Sequence, residues 1–172
     1  MPVTGRLPMN ATSVSSVSVS LPLHPLDPLT ADEISYAVTI VRNVANFNDT
    51  STNTAGGGIS ANNSATFTGT RNTLIALNRA DFGASFPDCS ANLDSGGHNL
   101  IGDDEGCSGL VGSDLVRARP RVGRLRDNGG PTKTVALKKG SPAIDRAGSD
   151  APNRDQRGVR RGRNPDIGAY ER

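Results

Sequence analysis

The sequence predicts a mainly β fold: a few short coils of a truncated parallel solenoid, closed by an irregular C-terminal cap and preceded by one amphipathic α-helix. Three observations carry this expectation. Only 34% of the 172 residues are hydrophobic and 3% aromatic, with no Trp, so a thick globular core is not expected. Twenty Gly and eleven Pro, among many Asn, Ser and Thr, describe a chain that turns often and keeps its strands short. Asn43, Asn72 and Asn99 each precede an apolar stretch and lie 29 and 27 residues apart, intervals that suit solenoid coils.

Taken from the N-terminus, residues 1–23 read as a disordered or Ser/Pro-rich linker segment, with a half-buried edge strand through Val14, Val17 and Val19 as the alternative. Ser13–Ser20 alternates polar and apolar residues and lacks the continuous apolar core of a signal peptide, so if the protein is exported the signal is expected upstream or outside this chain. No apolar run approaches the roughly 20 residues that span a bilayer. Nineteen basic residues nearly balance seventeen acidic ones, which argues against a nucleic-acid partner.

Residues 24–42 carry a helix signal. Thr30 can cap the backbone N–H of Glu33, whose carboxylate can reach back to Thr30, while Leu29 and Ile34 occupy hydrophobic-staple positions. Pro25 and Pro28 hold the approach extended. Ile34, Ala37, Val38 and Val41 follow at helical spacing and predict a helix from Ala31 to about Arg42 with one apolar face. That face is expected to shield the open first coil.

From residue 43 to 112 the pattern changes to short β-prone segments between Asn- and Gly-rich corners, the expected coils. Stacked Asn43, Asn72 and Asn99 can hydrogen-bond neighbouring backbones, and Gly56-Gly57-Gly58 can supply the φ > 0 conformations of a tight corner. An irregular Asn/Gly-rich loop is the alternative.

Several motifs in this half carry a resemblance. Asn53-Thr54-Ala55-Gly56-Gly57-Gly58-Ile59, Asn72-Thr73-Leu74-Ile75-Ala76-Leu77-Asn78, Asp88-Cys89-Ser90 and Gly96-Gly97-His98-Asn99-Leu100-Ile101-Gly102-Asp103 resemble the last coils of bacterial surface right-handed parallel β-helix proteins with a choice-of-anchor C-terminal region. Asp127-Asn128-Gly129-Gly130-Pro131-Thr132, Gly140-Ser141-Pro142-Ala143-Ile144-Asp145, Asp155-Gln156-Arg157-Gly158 and Asp166-Ile167-Gly168-Ala169-Tyr170-Glu171 follow in that family's order. The resemblance implies a right-handed β-helix over residues 43–172 and an extracellular or cell-surface location, but no single activity.

Cys89 and Cys107 are the only cysteines. In an oxidising compartment they can close one loop worth about 3 kcal/mol, and two buried free thiols are the alternative. Without a Cys-x-x-Cys pair, neither a redox motif nor a zinc site is indicated. Residues 113–172 are expected to cap the last coil, with a turn at Asn128-Gly129-Gly130-Pro131 and a short strand through Val135, Ala136 and Leu137. Arg157, Arg160 and Arg163 are expected to pair with Asp155, Asp166 and Glu171 within that cap.

A second, shorter resemblance lies in His24-Pro25-Leu26-Asp27-Pro28-Leu29-Thr30-Ala31-Asp32-Glu33-Ile34 and Ala37-Val38-Thr39-Ile40-Val41-Arg42, similar to the start of the N2 domain of copper amine oxidases. That family oxidises primary amines with copper and topaquinone, using three His ligands and a Tyr flanked by Asn and an acid. Here only His24 and His98 are present, and Tyr36 and Tyr170 follow Ser and Ala, so no catalytic residue carries over.

Asp94, Asp103, Asp104 and Glu105 form the best acidic group, a weak calcium candidate or, in a carbohydrate-active β-helix, a place for glycan cleavage. His98 has no nearby nucleophile and reads as a hydrogen-bonded corner residue. The expectation is a noncatalytic structural or adhesion-type module for a glycan or surface protein. Only two or three coils are countable, so further coils are expected upstream.

Overall fold

The structure is a computed structural model that describes residues 17–18, 37–45, 57–61, 67, 69–80 and 86–172. Its elements are short strands: β1 (Val17–Ser18), β2 (Thr39–Val41), β3 (Val44–Ala45), β4 (Ile59–Ser60), β5 (Leu74–Ala76), β6 (Arg79–Ala80), β7 (Cys89–Asn92), β8 (Leu100–Ile101), β9 (Gly106–Ser108), β10 (Val122–Arg126) and β11 (Thr134–Leu137). No helix is present among the described residues.

The strands form small sheets rather than one continuous wall. The largest has the order β1-β2-β5-β8, parallel except for β1; β4-β7-β9 and β3-β6 are parallel, and β10-β11 is an antiparallel hairpin. Thr39, Leu74 and Leu100 stand in one register, and Ile40, Ile75 and Ile101 in the next. Leu115 adds a parallel bridge below Leu100.

This arrangement corrects the predicted helix over Ala31–Arg42, because Thr39–Val41 is strand β2. Thr39, Ile40 and Val41 are all β-branched and pack well on a pleated surface, and the neighbouring β5 satisfies their backbone groups. Tertiary pairing therefore overrides an apolar spacing that also fits a helix. Thr30, Glu33 and Ile34 lie outside the described residues.

Alternation of side chains along β5 divides the apolar residues into two clusters. Leu74 and Ala76 join Val41, Leu100, Val122, Val135, Leu137, Ala143 and Ile167 on one face. Ile75 joins Ile59, Cys89, Ala91, Leu93 and Ile101 on the other. Each β5 side chain is fully buried, as expected of a parallel strand covered on both sides. The Cys89–Cys107 disulfide joins β7 to β9 across the second cluster, with an 18-residue separation, and such a loop contributes about 3 kcal/mol in the chain-entropy account.

The corners repeat as well. Ala37, Asn72 and His98, each two residues before a strand of the main sheet, have φ of 57°, 54° and 57°. Arg42 and Leu77, each immediately after such a strand, have φ of 59° and 62°. Asn tolerates this left-handed conformation better than most residues. Gly57 and Gly58 differ from expectation, since neither is among the described glycines with positive φ. They are required for close approach: a Cβ on Gly57 would meet the carbonyls of Arg79 and Pro87, and one on Gly58 would meet Asp88 O and Asn78 Nδ2. Gly56 lies outside the described residues.

The C-terminal segment contributes to the apolar cluster on one face of the main sheet. Hairpin β10–β11 places Val122, Val135 and Leu137 against Leu74 and Leu100. The C-terminal strip crosses the same face, where Gly168 N–H donates to Asn72 O (2.8 Å) and Ala169 N–H to Thr39 Oγ1 (2.9 Å). Gly168 has φ +98°, and a Cβ there would lie 2.6 Å from Thr39 Oγ1, so the contact needs glycine.

With its side chain enclosed on every side, Ile75 cannot be shortened without leaving a cavity. Ile75→Ala is expected to lower unfolding free energy by about 2–5 kcal/mol in urea denaturation, whereas Val116→Ala, at a position 41% exposed, is expected to change it by less than about 0.5 kcal/mol.

Candidate functional site

Strand ends carry backbone N–H groups that the ladders do not satisfy, and polar side chains at the corners accept them. At the corner after β2 and β5, Asn43 N–H donates to Asn78 Oδ1 (3.0 Å) and Asn78 N–H donates to Asp88 Oδ1 (2.8 Å). The side-chain amide of Asn78 also reaches Ile40 O and Asp88 Oδ1. At the corner before β5 and β8, Thr73 N–H donates to Asn99 Oδ1 (3.0 Å) and Asn99 N–H to Asp114 Oδ1 (2.9 Å). Asn43, Thr73, Asn78, Asp88, Asn99 and Asp114 are all buried.

Asn43, Asn72 and Asn99 therefore do not stack on one another as their spacing suggests. Asn43 is linked to Asn78, 35 residues on, while Asn99 lies between Thr73 and Asp114, at separations of 26 and 15 residues. Asn78, Asp88 and Asp114 are the residues that spacing alone misses. Asn78 and Asp114 carry a signal, a polar residue immediately outside an apolar stretch, after Leu77 and before Leu115; Asp88, before Cys89-Ser90, carries none.

Asn72 faces the C-terminal region. Its Oδ1 accepts Gly148 N–H (2.7 Å), and its Nδ2 donates to Asp150 Oδ1 (3.1 Å). Arg71 pairs with the same carboxylate at 2.9 Å. Burial acts to raise the Asp150 pKa, but hydrogen bonds from Arg71 and Asn72 outweigh it and hold the carboxyl below its ordinary value. His98 Nδ1 lies 3.1 Å from Arg146 O, a hydrogen-bonded corner.

The acidic candidates divide. Asp103, Asp104 and Glu105 line a shallow pocket of about 310 Å³ with Gly102 and Arg117, but Asp94 is not part of it. Asp104 Oδ1 is held by Arg117 Nε at 2.9 Å, and Asp103 Oδ1 accepts Glu105 N–H at 3.1 Å. A guanidinium in the pocket opposes a divalent cation, which prefers several free oxygens. Among the described residues, no three His, Cys, Asp or Glu side chains converge to hold a metal.

Beneath this turn, Asp88 Oδ2 accepts Asp103 N–H at 2.8 Å. Burial is the largest influence on Asp88 and raises its pKa; hydrogen bonds from Asn78 and Asp103 oppose the rise, and the charge of Asp103 adds to it.

A second polar centre closes the C-terminus. Arg157 lies 2.7 Å from Asp155 and stacks over Tyr170, 3.7 Å from the ring centroid. Arg161 pairs with Glu171 at 3.0 Å and donates to the carbonyls of Asp166 and Gly168. Glu171 also accepts the N–H groups of Gly162 and Asp166. Asp166 accepts from Asp145 and Arg172 N–H, yet burial, its largest influence, raises its pKa. Arg160 and Arg163, expected in this network, are exposed; Arg161 takes the buried place. Three arginines within four positions look alike in sequence, and only the fold selects which points inward.

Two outcomes follow from these burials. Arg161→Ala strands the Glu171 carboxylate and is expected to cost about 3–5 kcal/mol in chemical denaturation, against less than about 0.5 kcal/mol for the exposed Arg160→Ala. The raised pKa of Asp88 means that its ionisation opposes folding: the penalty is absent below the unfolded value near 3.8 and develops as pH rises through the folded value. Stability of Asp88→Asn, measured by urea denaturation across this range, is expected to gain on the unsubstituted chain as pH rises. Parallel curves would exclude this role.

Set against known proteins, the chain matches no family model, no curated protein and no solved structure.

Proposed function

We propose that this chain is a noncatalytic extracellular or cell-surface module of structural or adhesion type, formed as the C-terminal coils of a right-handed parallel β-helix. The repeated corner bond carries this reading. Asn78 Oδ1 accepts the N–H of Asn43, and Asp88 Oδ1 accepts that of Asn78, as stacked coils of one solenoid require. Among the described residues Asn43 Oδ1 is buried without a partner, an acceptor suited to one more N–H of the same series. The side-chain oxygens at these corners are occupied by backbone amides, a structural rather than chemical use. The disulfide supports an oxidising location. No helix among the described residues is long and apolar enough to cross a membrane.

The copper amine oxidase alternative rests on residues 24–42, and two histidines do not fit that family's three copper ligands. A glycan-cleaving alternative would draw on Asp103, Asp104 and Glu105, of which Asp104 is already committed to Arg117.

One assay separates these activities. The labelled, oxidised chain is applied to immobilised polysaccharides and surface proteins, with reducing-end release and copper-dependent peroxide from primary amines followed in parallel. Saturable retention without either product is expected. Product above a heat-unfolded control would replace the noncatalytic reading, and absence of retention on every surface would remove its adhesive part.

A further inference from the structure

Charge is divided unevenly along this chain. Residues 117–139 hold eight basic side chains and a single acid, Asp127, whereas the remaining residues hold eleven basic and sixteen acidic ones. The near-neutral total therefore conceals a strongly cationic segment. That segment is the β10–β11 hairpin and its approach, and all eight basic residues are exposed.

These charges have little internal compensation. Arg117 pairs with Asp104. Arg126 Nε donates to Asn128 Oδ1, a neutral amide that leaves its charge unbalanced. Among the described residues, Arg119, Arg124, Lys133, Lys138 and Lys139 have no ion pair. Like charges crowded on one ribbon repel one another and raise the local concentration of anions.

The ribbon is also irregular. A register irregularity between Val122 and Leu125 bends the β10 side of the hairpin. Beside it runs a groove of about 420 Å³, lined by Arg124, Arg126 and Lys138 together with Leu125, Ala136 and Leu137. Cationic groups beside apolar side chains suit a ligand with regularly placed anions and apolar C–H surfaces.

We infer that the basic face of the β10–β11 hairpin binds an anionic polysaccharide. The Arg124 and Arg126 guanidiniums and the Lys138 ammonium pair with its carboxylate or sulfate groups, and Ala136 takes the apolar face of a sugar ring. The choice of polysaccharide rests on the adhesion reading above and on two observations about the chain. Residues 117–139 contain no aromatic side chain on which nucleic-acid bases could stack. The disulfide also suits the compartment where acidic polysaccharides are exposed.

The test uses the oxidised full chain with heparin as a sulfated probe, polygalacturonate as a carboxylated probe and single-stranded DNA as the competing class, at low and high salt. Binding to one or both polysaccharides that weakens with salt is expected, and the preferred probe identifies the anionic group. The Arg124→Gln, Arg126→Gln, Lys138→Gln triple variant is expected to lose about tenfold or more in affinity, while the charge-matched triple Arg146→Gln, Arg160→Gln, Arg163→Gln stays within about twofold. Equal loss in both triples, no loss in the first, no polysaccharide binding at all, or tighter binding of DNA would each overturn the inference.

A second measurement needs no substitution, because the three lysines of the chain, Lys133, Lys138 and Lys139, all lie in this hairpin. Heparin or polygalacturonate is expected to protect Lys138 from acetylation, and undiminished modification at saturation would overturn the site. Failure here with retention on neutral polysaccharide leaves the adhesion reading standing. Protection accompanied by cleavage of the polysaccharide would retain the site and remove the noncatalytic reading.

Discussion

Backbone amides at the ends of very short strands set the main constraint on this fold. A strand of two or three residues leaves much of its hydrogen-bonding capacity outside the ladder, and a buried corner cannot give it to water. The chain answers with side-chain oxygens: Asn78 and Asp88 at one corner, Asn99 and Asp114 at the other. Each accepts an N–H from the neighbouring segment and holds its register. With that register in place, Leu74 stands beside Leu100 and Ile75 beside Ile101, and the two apolar clusters become continuous.

The same constraint explains how the C-terminal segment attaches. Thr39, the first residue of β2, and Asn72, two residues before β5, offer an oxygen each to Ala169 and Gly168 N–H. Partly buried Arg157 and buried Arg161 then tie the last residues to Asp155 and Glu171. Such pairs are costly to desolvate and give little net stabilisation against an apolar substitute, but they penalise every arrangement in which one partner is missing. Their role here is to specify one docking position for an irregular segment with few apolar residues.

Charge follows a separate logic from packing. Carboxylates are spread through the corners and the C-terminal network, where backbone amides and arginines use them. The basic residues of the hairpin project outward and are left almost without acidic neighbours. The buried side of that hairpin, through Val122, Val135 and Leu137, belongs to the core, so a rigid support carries the cationic face.

By itself the sequence determined a β-rich chain of short strands and polar corners, because low aromatic content, frequent Gly and Pro, and brief apolar runs leave few other options. It also located the strand cores around Leu74-Ile75-Ala76 and Leu100-Ile101, and it singled out the two cysteines while leaving their state open. The tertiary structure decided which polar residues meet, because register depends on the lengths of the segments between paired strands, so Asn43 meets Asn78 rather than Asn72. It turned Thr39–Val41 into a strand because β5 supplies hydrogen-bond partners that local spacing cannot reveal. It selected Arg161 over Arg160 and Arg163, since only a folded neighbourhood distinguishes identical side chains by what surrounds them.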